Sequence, residues 1–173
     1  MYSHYGDKEN LFLTVVRDTY DLMRGHFAAI IDRALTDAAD AEKSLVSGIR
    51  EAAAEVSRSP ERALLLRLMI AELPRFPALL EIWRSRAIIP VLAQAVTRLT
   101  AAGLPSAGDP EQAADHLSAL TFGQINSRSM MGTIPLSDTE TETETETDQI
   151  ITSGIRVFLC AYGVSPSARP PGC

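Results

Sequence analysis

The chain has little of what catalytic and metal-binding domains are built from. Its two cysteines, Cys160 within an apolar pattern and Cys173 at the very end, are too few for a disulfide framework or a thiolate metal site. Cys160 reads as a small core residue. Three histidines are scattered at His4, His26 and His116, with no His-Glu-x-x-His, no glycine-rich phosphate loop and no nucleophile elbow. A two-metal carboxylate bundle needs Glu-x-x-His motifs, also missing. Glu72 and Glu81 flank a proline-rich turn but have no acid–base partner at helix spacing. No catalytic residue, metal or cofactor is therefore expected. No apolar run approaches the ~18 residues of a membrane span, and the N-terminus lacks the basic-then-apolar layout of a signal peptide. A soluble, cytoplasmic protein with no membrane partner is the expectation.

Aromatics make up only 6% and strand signals are essentially missing, whereas Ala, Leu, Arg and Glu are abundant and about half of the residues are apolar. That balance predicts an all-α fold, and 173 residues suit one substantial core. The formal charge is -6, but Glu140, Glu142, Glu144 and Glu146 supply four of those charges in one stretch. The remaining surface is close to neutral, neither a basic nucleic-acid face nor an acidic mimic.

Apolar positions set the helices. From Lys8 to Ala34, Leu11-Phe12, Val15-Val16, Leu22-Met23, Phe27 and Ile30-Ile31 recur every three or four residues, predicting one long helix weakened at Gly25. Leu45, Ile49, Ala52 and Val56 share a face of a second. Ser59-Pro60-Glu61 provides an N-cap, an N1 proline and an acidic first turn for a third, to about Leu73. Leucines around its circumference predict a central, largely buried element. A fourth helix is expected from Pro77 to Ala102, kinked at Pro90, and a fifth from Gly108-Asp109-Pro110-Glu111 to about Met131. The last covers roughly 148–162. Between these two, the Thr-Glu repeat 138–148 has no apolar face and reads as a flexible acidic loop. The Ser/Pro-rich residues 164–173 read as a disordered tail.

The opening residues Tyr2-Ser3-His4-Tyr5-Gly6-Asp7-Lys8-Glu9-Asn10-Leu11-Phe12 hold a helix stop at Gly6 and a start at Asp7, so two helices are expected to meet there. Lys8 then lies in a first turn, where its charge opposes the local dipole. Tyr2 and His4 suit either phosphate contact or a plain polar surface. This segment resembles the end of the recognition helix and the start of the connecting helix in TetR-family transcriptional regulators. Leu64 to Phe76, Asp115 to Met131 and Val157 to Gly163 are similar to segments of the AefR-like C-terminal domain of that family.

The resemblance implies a two-part regulator, most often a repressor: a helix-turn-helix, here a remnant at 1–22, and a ligand-binding and dimerisation domain at 23–163. Tyr2, His4 and Lys8 would hold the DNA backbone, while the base-reading part of the recognition helix would be missing. DNA is thus a partner only with the preceding helices present. A small-molecule effector would lie in a mostly apolar cavity, with His26, Met69, Phe76, Trp83, Phe122 and Gln124 as lining candidates, although residues of these types in such a pattern are more often ordinary core or space-filling residues. Homodimerisation would use the last two helices, with Leu117, Leu120, Ile125, Ile151, Ile155, Phe158 and Leu159 as interface candidates, although an intrachain partner would satisfy the same residues. The alternative function is a DNA-independent ligand-sensing or heterodimerising helical module. A helical enzyme is the weakest reading.

Overall fold

The computed structural model describes residues 3–36, 41–57, 60–86, 88–101, 108–131 and 140–162. They form seven helices: α1 (Ser3–Thr36), α2 (Ala41–Ser57), α3 (Pro60–Glu72), α4 (Ala78–Arg86), α5 (Ile89–Ala101), α6 (Pro110–Met131) and α7 (Glu140–Tyr162). The fold is all-α, with no strand among the described residues.

Local signals set several boundaries. Asp109 caps α6: its carboxylate accepts the amides of Glu111 at 2.9 Å and Gln112 at 3.3 Å, while its carbonyl accepts that of Ala113 at 3.0 Å. The first two are amides that the first turn otherwise leaves unpaired, and the third makes the first i→i−4 bond of the helix. The face read for α2 is inward, with Leu45, Ile49 and Ala52 buried. Pro60 opens α3 as its position predicted.

Several expectations are corrected. α1 runs through Gly6-Asp7 without a break, because a helical glycine costs only ~1 kcal/mol and removes no hydrogen bond. Gly25 likewise leaves α1 intact. Pro90 kinks nothing. The single helix expected from Pro77 to Ala102 is two, and Pro90 is the second residue of α5, a first-turn position where the missing amide hydrogen breaks no bond. The Thr-Glu repeat from Glu140 onward is helical. Glutamates near a helix N-terminus complement its dipole, and two ion pairs fasten this end: Arg128 to Glu146 at 2.7 Å, and Arg50 to Asp148. The hydrogen bond and charge of Arg128 hold the Glu146 carboxyl below its ordinary value of 4.5. That contribution is present above pH 4.5 and fades as the pH falls through the lowered value.

Finally, α3 is not central. Only Ala63 and Met69 are buried, whereas Leu64 is 63%, Leu68 42% and Ile70 54% exposed. Neighbours cover one side of α3 only, so leucines around the whole circumference exceed the buried area on offer.

Two hydrophobic cores result. The larger joins the C-terminal half of α1 (Phe27, Ile30, Ile31, Leu35) to α2, α5, α6 and α7. A smaller one gathers Val16, Met69, Leu79 and Ile82, with Phe12, Leu65, Leu73 and Phe76 against them. α1 is common to both. Cys160 is half-buried and its sulfur is held in a disulfide, not packed as the small core thiol expected.

Candidate functional site

On α1, Val16 belongs to the small core and Phe27 to the large one. The two turns between them, around Tyr20 and Met23, face the gap where the cores fail to meet, and there the fold leaves a cavity of two lobes. One, about 230 Å³, lies between α1, α3, the α4–α5 junction and α6, lined by Tyr20, Met23, Arg24, Arg62, Leu65, Leu66, Trp83, Ile88, Ile89 and, from α6, Asp115, Ser118, Ala119, Gly123 and Asn126. The other, about 350 Å³, reaches toward α2 and is lined by Thr19, Met23, Phe27, Ala52, Glu55, Glu61, Arg62, Leu65 and Ile88. Met23, Arg62, Leu65 and Ile88 border both. These volumes suit small ligands, and the walls mix apolar side chains with polar and charged ones in nearly equal number.

The polar groups differ in burial. Glu55, Glu61 and Asp115 are exposed, whereas Tyr20 and Arg62 are half-buried. Burial pushes the Tyr20 phenol above its ordinary 10.0, with the Arg62 charge pulling it back. Burial also lowers the hold of Arg62 on its proton, against the pull of Tyr20 and Glu55. Burial is the largest cause of both shifts. Glu55 meets the His26 imidazole at 3.2 Å, and Arg24 meets Asp21 at 3.3 Å. The Thr19 hydroxyl is engaged with the Val15 carbonyl at 2.8 Å. Among the described residues no three His, Cys, Asp or Glu side chains converge as metal ligands.

Of the six lining candidates from sequence, Trp83 alone borders the cavity. His26 is exposed beside Glu55. Met69 and Phe76 pack in the small core, where Phe76 meets Phe12 at 5.6 Å between ring centres. Phe122 is buried in the large core, edge-on to Phe27 at 5.8 Å. Gln124 is exposed and off the lining, although its neighbours Gly123 and Asn126 are on it. Sequence reasoning missed Tyr20 and Arg62. One signal was there: Tyr20 falls on the same helical arc as Val16, Met23 and Phe27, and a polar group on an apolar arc needs a reason.

The interface candidates divide. Leu117, Ile125, Ile151, Ile155 and Phe158 are fully buried in the chain's own core, so an intrachain partner covers them and they are not available to a second copy. Leu120 is exposed and Leu159 half-buried. α6 and α7 cross closely at Gly154, beside the backbone of Leu120. Of the proposed DNA contacts, Tyr2 and the His4 side chain lie outside the described residues, as do residues 164–173; Lys8 is exposed on α1.

Comparison with known proteins accords with this architecture. Residues 45–164 match the family model of the C-terminal domain of AefR-like transcriptional repressors. A crystal structure from Mesorhizobium loti MAFF303099, assigned to the TetR-family transcriptional regulators, superposes with a TM-score of 0.77 at 26% identity, covering 94% of this chain and 79% of that one. No curated protein sequence matches. With more than half of its length in the family model and a helical frame shared with a TetR-family structure, the chain belongs to the AefR-like group of TetR-family transcriptional regulators, through their C-terminal domain.

Proposed function

We propose that this chain is the effector-sensing and pairing part of a transcriptional regulator, a repressor by the family's printed description, in which a small molecule in the two-lobed cavity controls DNA binding. The observation that carries the reading is the cavity's place between two cores that share α1. Thr19, Tyr20, Met23, Arg24 and Phe27 of α1 line it, and the same helix continues toward Lys8, about 22 Å away at 1.5 Å per residue. A ligand that fits one tilt of α1 better than another biases that tilt by its difference in affinity and no more. DNA contact through Tyr2, His4 and Lys8 requires a complete helix-turn-helix, since a single helix end holds phosphates without reading bases.

Gly123 supplies the test. It lines the cavity, and open space surrounds the position of a Cβ. Gly123→Leu is expected to fold at least as stably as the parent, because removing a helical glycine gains ~1 kcal/mol, while blocking the first lobe. Compounds that raise the melting temperature of the parent should lose about tenfold or more in affinity. Titration of both proteins against a library of amphipathic small molecules checks this. Unchanged affinities in the variant, or no compound that stabilises the parent, would remove the cavity from consideration.

Pairing is assigned to the outward sides of α6 and α7 at their crossing, where Leu120 is 37% and Val157 54% exposed. Exposed apolar positions beside a helix crossing suit a four-helix interface between two copies. Leu120→Glu combined with Val157→Glu is expected to convert a dimer to a monomer of unchanged helicity. Light scattering reads the mass, and a parent that is already monomeric refutes the assignment.

A further inference from the structure

We infer that the cavity takes a small apolar molecule bearing one anionic group, a carboxylate in the simplest case, and that Arg62 and Tyr20 receive that group where the two lobes meet. The inference rests on the reading of the cavity as an effector site and adds the chemistry of the effector.

The charges around the cavity are not equivalent. Glu55, Glu61 and Asp115 are exposed, so water and salt screen what they offer a ligand. Of the two lining cations, Arg24 meets Asp21 at 3.3 Å and borders one lobe only, whereas the half-buried Arg62 alone of the charged residues borders both lobes. A cation in such surroundings gains most from an anion delivered to it, because the mutual attraction grows as the dielectric falls. The guanidinium carries five N–H donors in a planar fork, so it can serve protein acceptors and a ligand carboxylate together. Tyr20 lines the lobe that Arg62 enters, and its phenol hydroxyl can donate a further hydrogen bond to the same anion. Met23, Leu65 and Ile88 border both lobes and provide an apolar bed for the rest of the molecule. An ammonium ligand in the same place would bring a like charge against Arg62.

The test compares three molecules of one shape: 4-phenylbutyrate, 4-phenylbutyramide and 4-phenylbutylamine. Trp83 is the only tryptophan in the chain and lines the cavity, so its emission reports occupancy alongside calorimetry on the full chain. The carboxylate is expected to bind about tenfold or more tighter than the amide, as charge-assisted hydrogen bonds exceed neutral ones, and the amine weakest of all. Arg62→Met should erase the preference and leave the amide within a few-fold of its parent affinity, whereas Arg62→Lys, which keeps the charge and loses the fork, should retain only part of it. The three-probe comparison on the parent decides the matter even where a variant fails to fold. Equal binding of all three, or tightest binding of the amine, overturns the inference while the cavity stands. A preference that survives in a folded Arg62→Met also overturns it. No heat and no change in Trp83 emission with any probe would overturn both the inference and the effector site beneath it.

Discussion

Phe122→Ala is expected to lower the unfolding free energy by about 3–5 kcal/mol, the range for removing a buried phenylalanine. Phe122 is 1% exposed and lies edge-on to Phe27 with ring centres 5.8 Å apart. The truncation therefore forfeits both the transfer free energy of the ring and its contact with a second one. At about 2–4 °C per kcal/mol for a chain of this size, the melting temperature should fall by more than 6 °C. Calorimetry or denaturant titration checks this. The measurement also separates two roles: a residue that only lined the ligand cavity would, on truncation, change ligand affinity and leave the ligand-free stability nearly untouched.

Gly154→Ala is expected to cost up to about 3 kcal/mol, the upper part of the usual range for overpacking. A Cβ on Gly154 would lie 2.4 Å from the carbonyl oxygen of Leu120, 2.9 Å from its carbonyl carbon and 3.3 Å from Thr121 Cγ2. The first two are backbone atoms, so a rotamer change cannot relieve them and α6 and α7 must separate. Thr121 is itself fully buried, with its hydroxyl bonded to the Leu117 carbonyl at 2.7 Å, which leaves little freedom on that side. Gly25→Ala is the matched control. Nothing lies within 4 Å of a Cβ there, and in an exposed helical position the change should stabilise by ~1 kcal/mol. Thermal melts of the pair should move in opposite directions. A Gly154→Ala protein as stable as the parent would mean that the two helices are not held at the distance described.

The candidate site was legible only in part. Trp83 stood out because a lone tryptophan beside a proline-rich turn is conspicuous in any sequence, and it does line the cavity. Arg62 did not stand out. It occupies the first turn of α3 next to Glu61, where charged residues are usual and face water, and only the placement of α3 against α1 and α6 turns it inward. Phe122 and Met69 erred in the opposite direction. Their apolar character says that something covers them, and for both the cover is another side chain of the core, not a ligand.

The interface candidates carry the same lesson. Leu117, Ile125, Ile151, Ile155 and Phe158 share apolar faces whose period was plain in the sequence, and they are buried as that period requires. Whether the covering surface belongs to the same chain or to another copy is not a property of the period. Here α6 and α7 pack on each other and on α2 and α5, so these faces close within one chain, and what is left outward beside the crossing is Leu120 and Val157, with Met131 exposed at the end of α6.

What the sequence determined by itself was local or cumulative. Helix class follows from the period of apolar residues, the start of α6 from Asp109 and its two amide partners, and membership of the regulator family from ordered motifs along most of the chain. Tertiary structure alone decided which apolar faces are covered, that the run from Pro77 to Ala102 divides into α4 and α5, and that two cores sharing α1 leave a cavity with Arg62 and Tyr20 inside it. The physical reason is one of range. Caps and periodicities arise within a few residues of chain, whereas burial, desolvation and empty volume depend on how far apart helices settle once every side chain between them has been packed.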